Sequence, residues 1–185
     1  MSGFTAIKKQ GATGTEGMAQ TYSVAVGHST LLAPGDAVDL TGTADATSGV
    51  AQVDTGNATA ANLGVIESVD FQLAGESLTE TGLLASTLGT VKVNTDPFQL
   101  YEIESDATLV VANVGLNVGI NVTTATKSGG LTVSNMTLDA ATVATTVTLP
   151  YRIIALKDGI TSGVLGDRAV VRPNANAFTS GTVGS

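Results

Sequence analysis

Apolar residues in this chain recur at every second position over short runs, and Gly, Asn, Asp or Ser cuts each run. Tyr22, Val24 and Val26 alternate with small or polar residues, the period of a half-buried strand. Ala33-Pro34-Gly35-Asp36 follows as a turn, because Pro fixes φ, Gly permits positive φ and Asp bonds nearby backbone. Residues 37–40 form a short strand with Val38 and Leu40 on one face, and a polar loop over 41–48 leads to a strand at 50–53. A loop at 54–60 precedes a strand over 63–69, and 83–93 reads as a strand pair or one strand bent at Gly89. Asp96-Pro97 breaks the pattern before 98–103, where Phe98, Leu100 and Glu102 share a face. The strongest pairing signal is a hairpin, with runs at 120–126 and 131–134 flanking Lys127-Ser128-Gly129-Gly130. Residues 139–144 fit one helical turn, while Pro150 places the run 144–156 near an edge or a bulge. Residues 169–172 close the series.

Many short strands at regular spacing predict an all-β fold, an antiparallel β-sandwich or β-barrel of jelly-roll-like form. The expected organisation is an extended arm over residues 1–20, a β-domain over 21–172 and a tail over 173–185. The arm is Gly-rich, with Gly11, Gly14 and Gly17 spaced by three and Phe4 and Ile7 as its apolar residues beside Lys8 and Lys9. Such a segment buries too little to fold alone. It is either a disordered start or an arm that docks on a neighbouring subunit.

Charge narrows the choice of partner. The net charge is −8, and no Lys or Arg occurs between Lys9 and Lys92, a span carrying nine Asp or Glu from Glu16 to Glu80. Such a face repels a phosphate backbone and an anionic membrane alike, so neither nucleic acid nor membrane is expected as a partner. Aromatics make up only 4% of the chain, and a core of Ala, Val and Leu gains from the extra burial that oligomerisation brings. The absence of cysteine excludes a disulfide framework and thiolate metal sites. The N-terminus lacks the apolar region of a secretory signal, and no run approaches membrane-spanning length. Synthesis in a cytoplasm, without an export signal of its own, is the expectation.

Candidate chemistry is sparse. The single histidine, His28, has no nucleophile elbow to serve, and a hydrogen-bonding role at a strand end suits it better than a catalytic triad. Gly11-Ala12-Thr13-Gly14-Thr15-Glu16-Gly17 lacks the Lys-Ser/Thr ending of a phosphate loop, and Gly163-Val164-Leu165-Gly166 reads as a turn. The Asp/Glu groups at 36/39, 45/54 and 102/104/106 lack calcium-loop spacing and fit solvated strand edges. The Asn-x-Ser/Thr sites at Asn57, Asn121 and Asn135 follow from a Thr-rich composition. The expectation is a protein without catalytic residues, metal or cofactor, which works by presenting surface.

Several segments, taken in order, resemble the head decoration (cement) proteins of tailed bacteriophages. Tyr22 to Gly27, then Leu32-Ala33-Pro34-Gly35-Asp36-Ala37-Val38-Asp39-Leu40, are similar to that family's opening strand and G-D-x-V-x-L turn. Leu63-Gly64-Val65-Ile66 resembles its next strand, and Asp96-Pro97-Phe98-Gln99-Leu100-Tyr101-Glu102-Ile103 its D-P-x-x-x-[FY]-E-[IV] strand. Asp106, Val114-Gly115-Leu116-Asn117, Leu138-Asp139 and Arg152-Ile153-Ile154-Ala155-Leu156 continue the order, while Val170-Val171-Arg172-Pro173-Asn174 is a looser version of the closing segment. The likeness spans residues 22–172.

It implies a non-enzymatic virion protein on the outer surface of a capsid, bound to the major capsid protein and often trimeric. Phe4 and Ile7 are then the expected partner anchors, with Lys8, Lys9, Arg168 and Arg172 at the rim and Arg152 among the cations that could meet an acidic capsid. The alternative is a β-rich tail-fibre, baseplate or adhesin module that binds a host surface. A hydrolase comes third.

Overall fold

The computed structural model describes residues 3–9, 19–72, 81–128 and 131–174. Thirteen strands make up this part: β1 (Thr5–Lys9), β2 (Ala19–Val24), β3 (Ala37–Ala44), β4 (Ala51–Thr55), β5 (Gly64–Gln72), β6 (Gly89–Asn94), β7 (Gln99–Glu104), β8 (Asn117–Asn121), β9 (Thr126–Ser128), β10 (Leu131–Val133), β11 (Thr137–Ala144), β12 (Tyr151–Asp158) and β13 (Leu165–Pro173). One 3-10 turn, Val111–Asn113, is the only helical element among the described residues. The all-β expectation holds, in its barrel form.

Strands β2-β4-β3-β5-β6 form a closed barrel. Five strands close only if they bend strongly, and bulges supply the bend. Register shifts fall between Leu40 and Ala44 in β3, and between Ile66 and Ser68 and between Val69 and Phe71 in β5. Period-two alternation fills the interior. In β6, Val91 and Val93 point inward beside Tyr22, Val24, Val38, Val53, Leu63 and Ile66, while Lys92 faces out. The last seam is a parallel pairing of Ser23 with Gln52.

The other strands form a six-stranded sheet in the order β1-β7-β13-β12-β8-β11, beside the small β9–β10 hairpin. This sheet rolls until β11 meets the end of β7: Ser105 bridges Leu138, and the Asp106 N–H donates to the Leu138 carbonyl at 3.0 Å. The roll encloses a second core of Tyr101, Ile103, Val118, Ile120, Leu138, Tyr151, Ile153 and Val171. Ala37 and Val65 of the barrel belong to that same cluster, so the two units share an apolar contact.

Several expectations change. Residues 5–9 are not an arm: β1 pairs with β7, Thr5 opposite Glu102 and Lys9 opposite Gln99. Phe4 is buried, its ring edge-on to Tyr101 at 5.7 Å and tilted against Tyr151 at 4.6 Å. An aromatic next to an alternating stretch finds more apolar surface inside the rolled sheet than in water. The rest of the predicted arm, residues 1–2 and 10–18, and the tail from 175 onward lie outside the described residues, while the strand β13 runs to Pro173 inside the predicted tail. The proposed helical turn at 139–144 is the strand β11, whose irregular register leaves only Asp139 and Ala144 opposite β8 across that stretch. The 120–134 hairpin is shorter than its sequence pattern. Residues 117–121 join the large sheet as β8, and only β9 and β10 pair, Ser128 opposite Leu131. In β7 the core side is Tyr101 and Ile103, while Phe98 stands 53% exposed.

Candidate interaction surface

Building outward from the motif residues leads first to the junction of barrel and sheet. The 33–36 turn forms as its sequence dictates. Gly35 has φ +91°, the Asp36 N–H donates to the Ala33 carbonyl at 3.0 Å, and the Ala33 N–H donates to the Asp36 carboxylate at 2.7 Å. Three segments converge on this turn. Phe4 N–H donates to the Gly35 carbonyl at 2.9 Å, Gly35 N–H to the Ile66 carbonyl at 2.8 Å, and Ala37 N–H to the Met136 sulfur at 3.2 Å. Burial pushes the Asp36 carboxyl up to about 6, against the lowering effect of its bonds to Ser134 and Ala33. Asp36 is thus a structural clasp, held in the interior at an electrostatic cost.

His28 is equally structural. Its Nδ1 lies 2.9 Å from the Thr30 carbonyl and Nε2 lies 3.0 Å from the Thr87 carbonyl, while the Ser86 N–H donates to the His28 carbonyl at 2.9 Å. The ring ties the 28–30 loop to the 86–87 segment and sits buried. A cavity of about 10 Å³ beside Asn62, Asn94, Asp96, Tyr101 and Tyr151 has room for a single water and none for a substrate. Beside the 33–36 turn an open groove of about 560 Å³ runs past Phe4, Pro34, Glu67, Leu131 and Ser134. Among the described residues no group of three or more His, Cys, Asp or Glu is placed to hold a metal ion, and no helix is long and apolar enough to cross a membrane.

The partner-binding candidates separate in space. Phe4 is interior, as described, and so does not present itself as an anchor. Ile7 is half-buried at the irregular step of β1, and Lys8 and Lys9 stand opposite Leu100 and Gln99 on β7. Arg168 donates to Glu102 at 2.9 Å, and Lys157 reaches the other oxygen of the same carboxylate at 3.3 Å. Arg172 is half-buried in β13, opposite Arg152, whose Nε donates to Asn117 at 3.1 Å. The structure gathers Arg168 with Lys157 on Glu102 and keeps the N-terminal pair on another strand.

What the pattern reading missed lies at the far end of the rolled sheet. The β12–β13 hairpin carries Ile160, Val164 and Leu165 exposed, and the strap before β8 carries Val110 and Val111 exposed. Their backbones touch: the Leu109 N–H donates to the Gly166 carbonyl at 2.9 Å. Gly166 has φ +99°, and a Cβ there would run into the Leu109 carbonyl oxygen, so only glycine permits the approach. A cleft of about 330 Å³ adjoins, lined by Glu104, Asp106, Thr108, Ile160, Ser162 and Asp167. Asp167 accepts from the hydroxyls of Ser162 and Thr108, which hold its carboxyl below the usual range. Asp106 accepts from Asn121 and from the Ala140 N–H. The signal was present in the sequence as apolar residues inside a Gly- and Asp-punctuated turn, 158–167, where a solvated loop is normally polar.

Comparison with protein-family models, with curated proteins and with solved structures finds no match for this chain.

Proposed function

We propose that the protein is a structural virion component that decorates the outer surface of a tailed-phage head and stabilises it by bridging major capsid subunits. The observation that carries this reading is the ordered set of motif residues running from Gly35-Asp36 to Arg152. The fold gives several of those residues structural roles. Asp36 clasps the junction of barrel and sheet, Tyr101 and Ile103 fill the second core, and Glu102 gathers two cations on the sheet's surface. Both ring nitrogens of His28 and one carboxylate oxygen of Asp36 are committed to internal hydrogen bonds, which suits a rigid block that works through its exterior.

Decoration of this kind is non-enzymatic. The decorating protein adds buried interface across the seams between capsid subunits, and separating them under internal genome pressure then requires breaking that interface too. A net charge of −8 suits the outside of a shell better than its nucleic-acid-facing interior. Association into trimers at three-fold positions belongs to the same proposal. Immunogold labelling of purified virions with antibody to this chain tests the placement. Label spread over the head is the expected result. Label confined to the tail or its fibres would overturn the proposal in favour of a host-binding module.

A further inference from the structure

We infer that the end of the rolled sheet formed by the 109–111 strap and the β12–β13 hairpin is the docking surface, and that its occupant is a protein surface with an apolar centre and a basic rim. The inference rests on the decoration reading, for which it names the face turned to the shell. Val111 is 74% exposed and Ile160 55%, and Val110, Val164 and Leu165 are exposed on the same two segments. Exposed apolar side chains on adjoining segments mark candidate interaction sites. The two segments are held side by side, because the strap is fastened to the hairpin through the Leu109–Gly166 contact that only glycine allows.

The charge around the patch selects the occupant. Glu104, Asp106 and Asp167 line the adjoining cleft, and Asp158 is exposed at the base of the hairpin. Neutral donors satisfy Asp106 and Asp167 and leave their charge uncancelled. The cations that flank the hairpin, Lys157 and Arg168, are both turned onto Glu102. A second copy of this chain would bring the same acidic rim against it, and like charges facing each other across an interface are unfavourable. An anionic lipid surface or a nucleic acid would be repelled for the same reason. A protein that lays apolar side chains on Val111 and Ile160 and places Lys or Arg in the cleft meets both halves of the surface.

The test uses the full chain and heads of the encoding phage from which this protein has been omitted, with attachment measured by co-sedimentation. A Val111→Asp/Ile160→Asp variant should bind the heads roughly tenfold more weakly, the effect of losing an interface anchor. Both residues are exposed, so circular dichroism should report an unchanged β fold. Val147→Asp, an exposed apolar site in the connection before β12, should bind as the wild type does. Asp158→Lys should weaken attachment at low salt and less so at physiological salt. Wild-type attachment together with undiminished binding by the double variant would overturn this surface and leave the decoration reading standing. Equal loss on Val147→Asp, or stronger binding by Asp158→Lys, would also overturn it. Failure of the wild type to bind the heads would remove both the surface and the function it rests on. Self-association of the wild type abolished by the double variant would show a second copy as occupant, contrary to the inference.

Discussion

Asp36 and Phe4 illustrate how single residues set the behaviour of this fold. Asp36 has a folded pKa of about 6 against an ordinary 3.8. Between those values the folded state holds a proton that the unfolded state has released, so this group's contribution to stability rises as pH falls through 6. Above pH 6 the buried charge costs up to about 3 kcal/mol. Asp36→Asn keeps an oxygen to accept the Ala33 N–H and removes the charge. Denaturant unfolding at pH 4.5 and 7.5 should show the variant gaining on the wild type at the higher pH. A stability difference that does not change between those pH values would contradict the assignment. Phe4 gives the opposite lesson: Phe4→Ala should lower unfolding stability by about 3 kcal/mol, as removal of a buried ring does. A loss below about 0.5 kcal/mol, the range of surface changes, would instead place the ring outside the core as a partner anchor.

At the scale of elements, turns were more legible than pairings. Pro34-Gly35-Asp36 and Asp96-Pro97 announce their turns through residue chemistry, and both stand between strands as expected. The run 120–126 could not reveal that it divides between a sheet and a separate hairpin, because alternation fixes which face is buried but not which partner lies alongside. Likewise, Thr- and Ala-rich 139–144 has no strong periodicity, and pairing with β8 at both ends of that stretch decides it. Phe4 was legible as apolar but not as core, since a sequence shows no destination for a short segment outside the main series. The acidic, apolar end was overlooked because its valines are separated by some fifty residues from the hairpin they join. Gly166 is the residue that joins them. Gly166→Ala, forced to positive φ and into the Leu109 carbonyl, should destabilise the protein by roughly 2 kcal/mol. Hydrogen exchange should show the loss of protection concentrated at Leu109, where the bond to Gly166 is made. Unchanged protection at Leu109 would mean that the strap is held by other contacts.

For the whole molecule, a closed barrel and a rolled sheet joined through Ala37, Val65 and the 33–36 turn form a block of net charge −8, in which Lys157 and Arg168 are paired to Glu102. Attachment led by apolar contacts should tolerate added salt, because rim charge pairs contribute little once screened. Raising salt from low to physiological levels should therefore weaken binding to heads only modestly. A steep loss over that range would assign the binding energy to charge. Whether this chain reinforces a shell from outside can be read from a titration of undecorated heads with the purified protein, followed by thermal disruption of the particles. Saturable attachment at a fixed ratio to the major capsid protein is expected, with a disruption temperature that rises with occupancy. Heads that take up no protein, or that take it up without any gain in resistance, would contradict it.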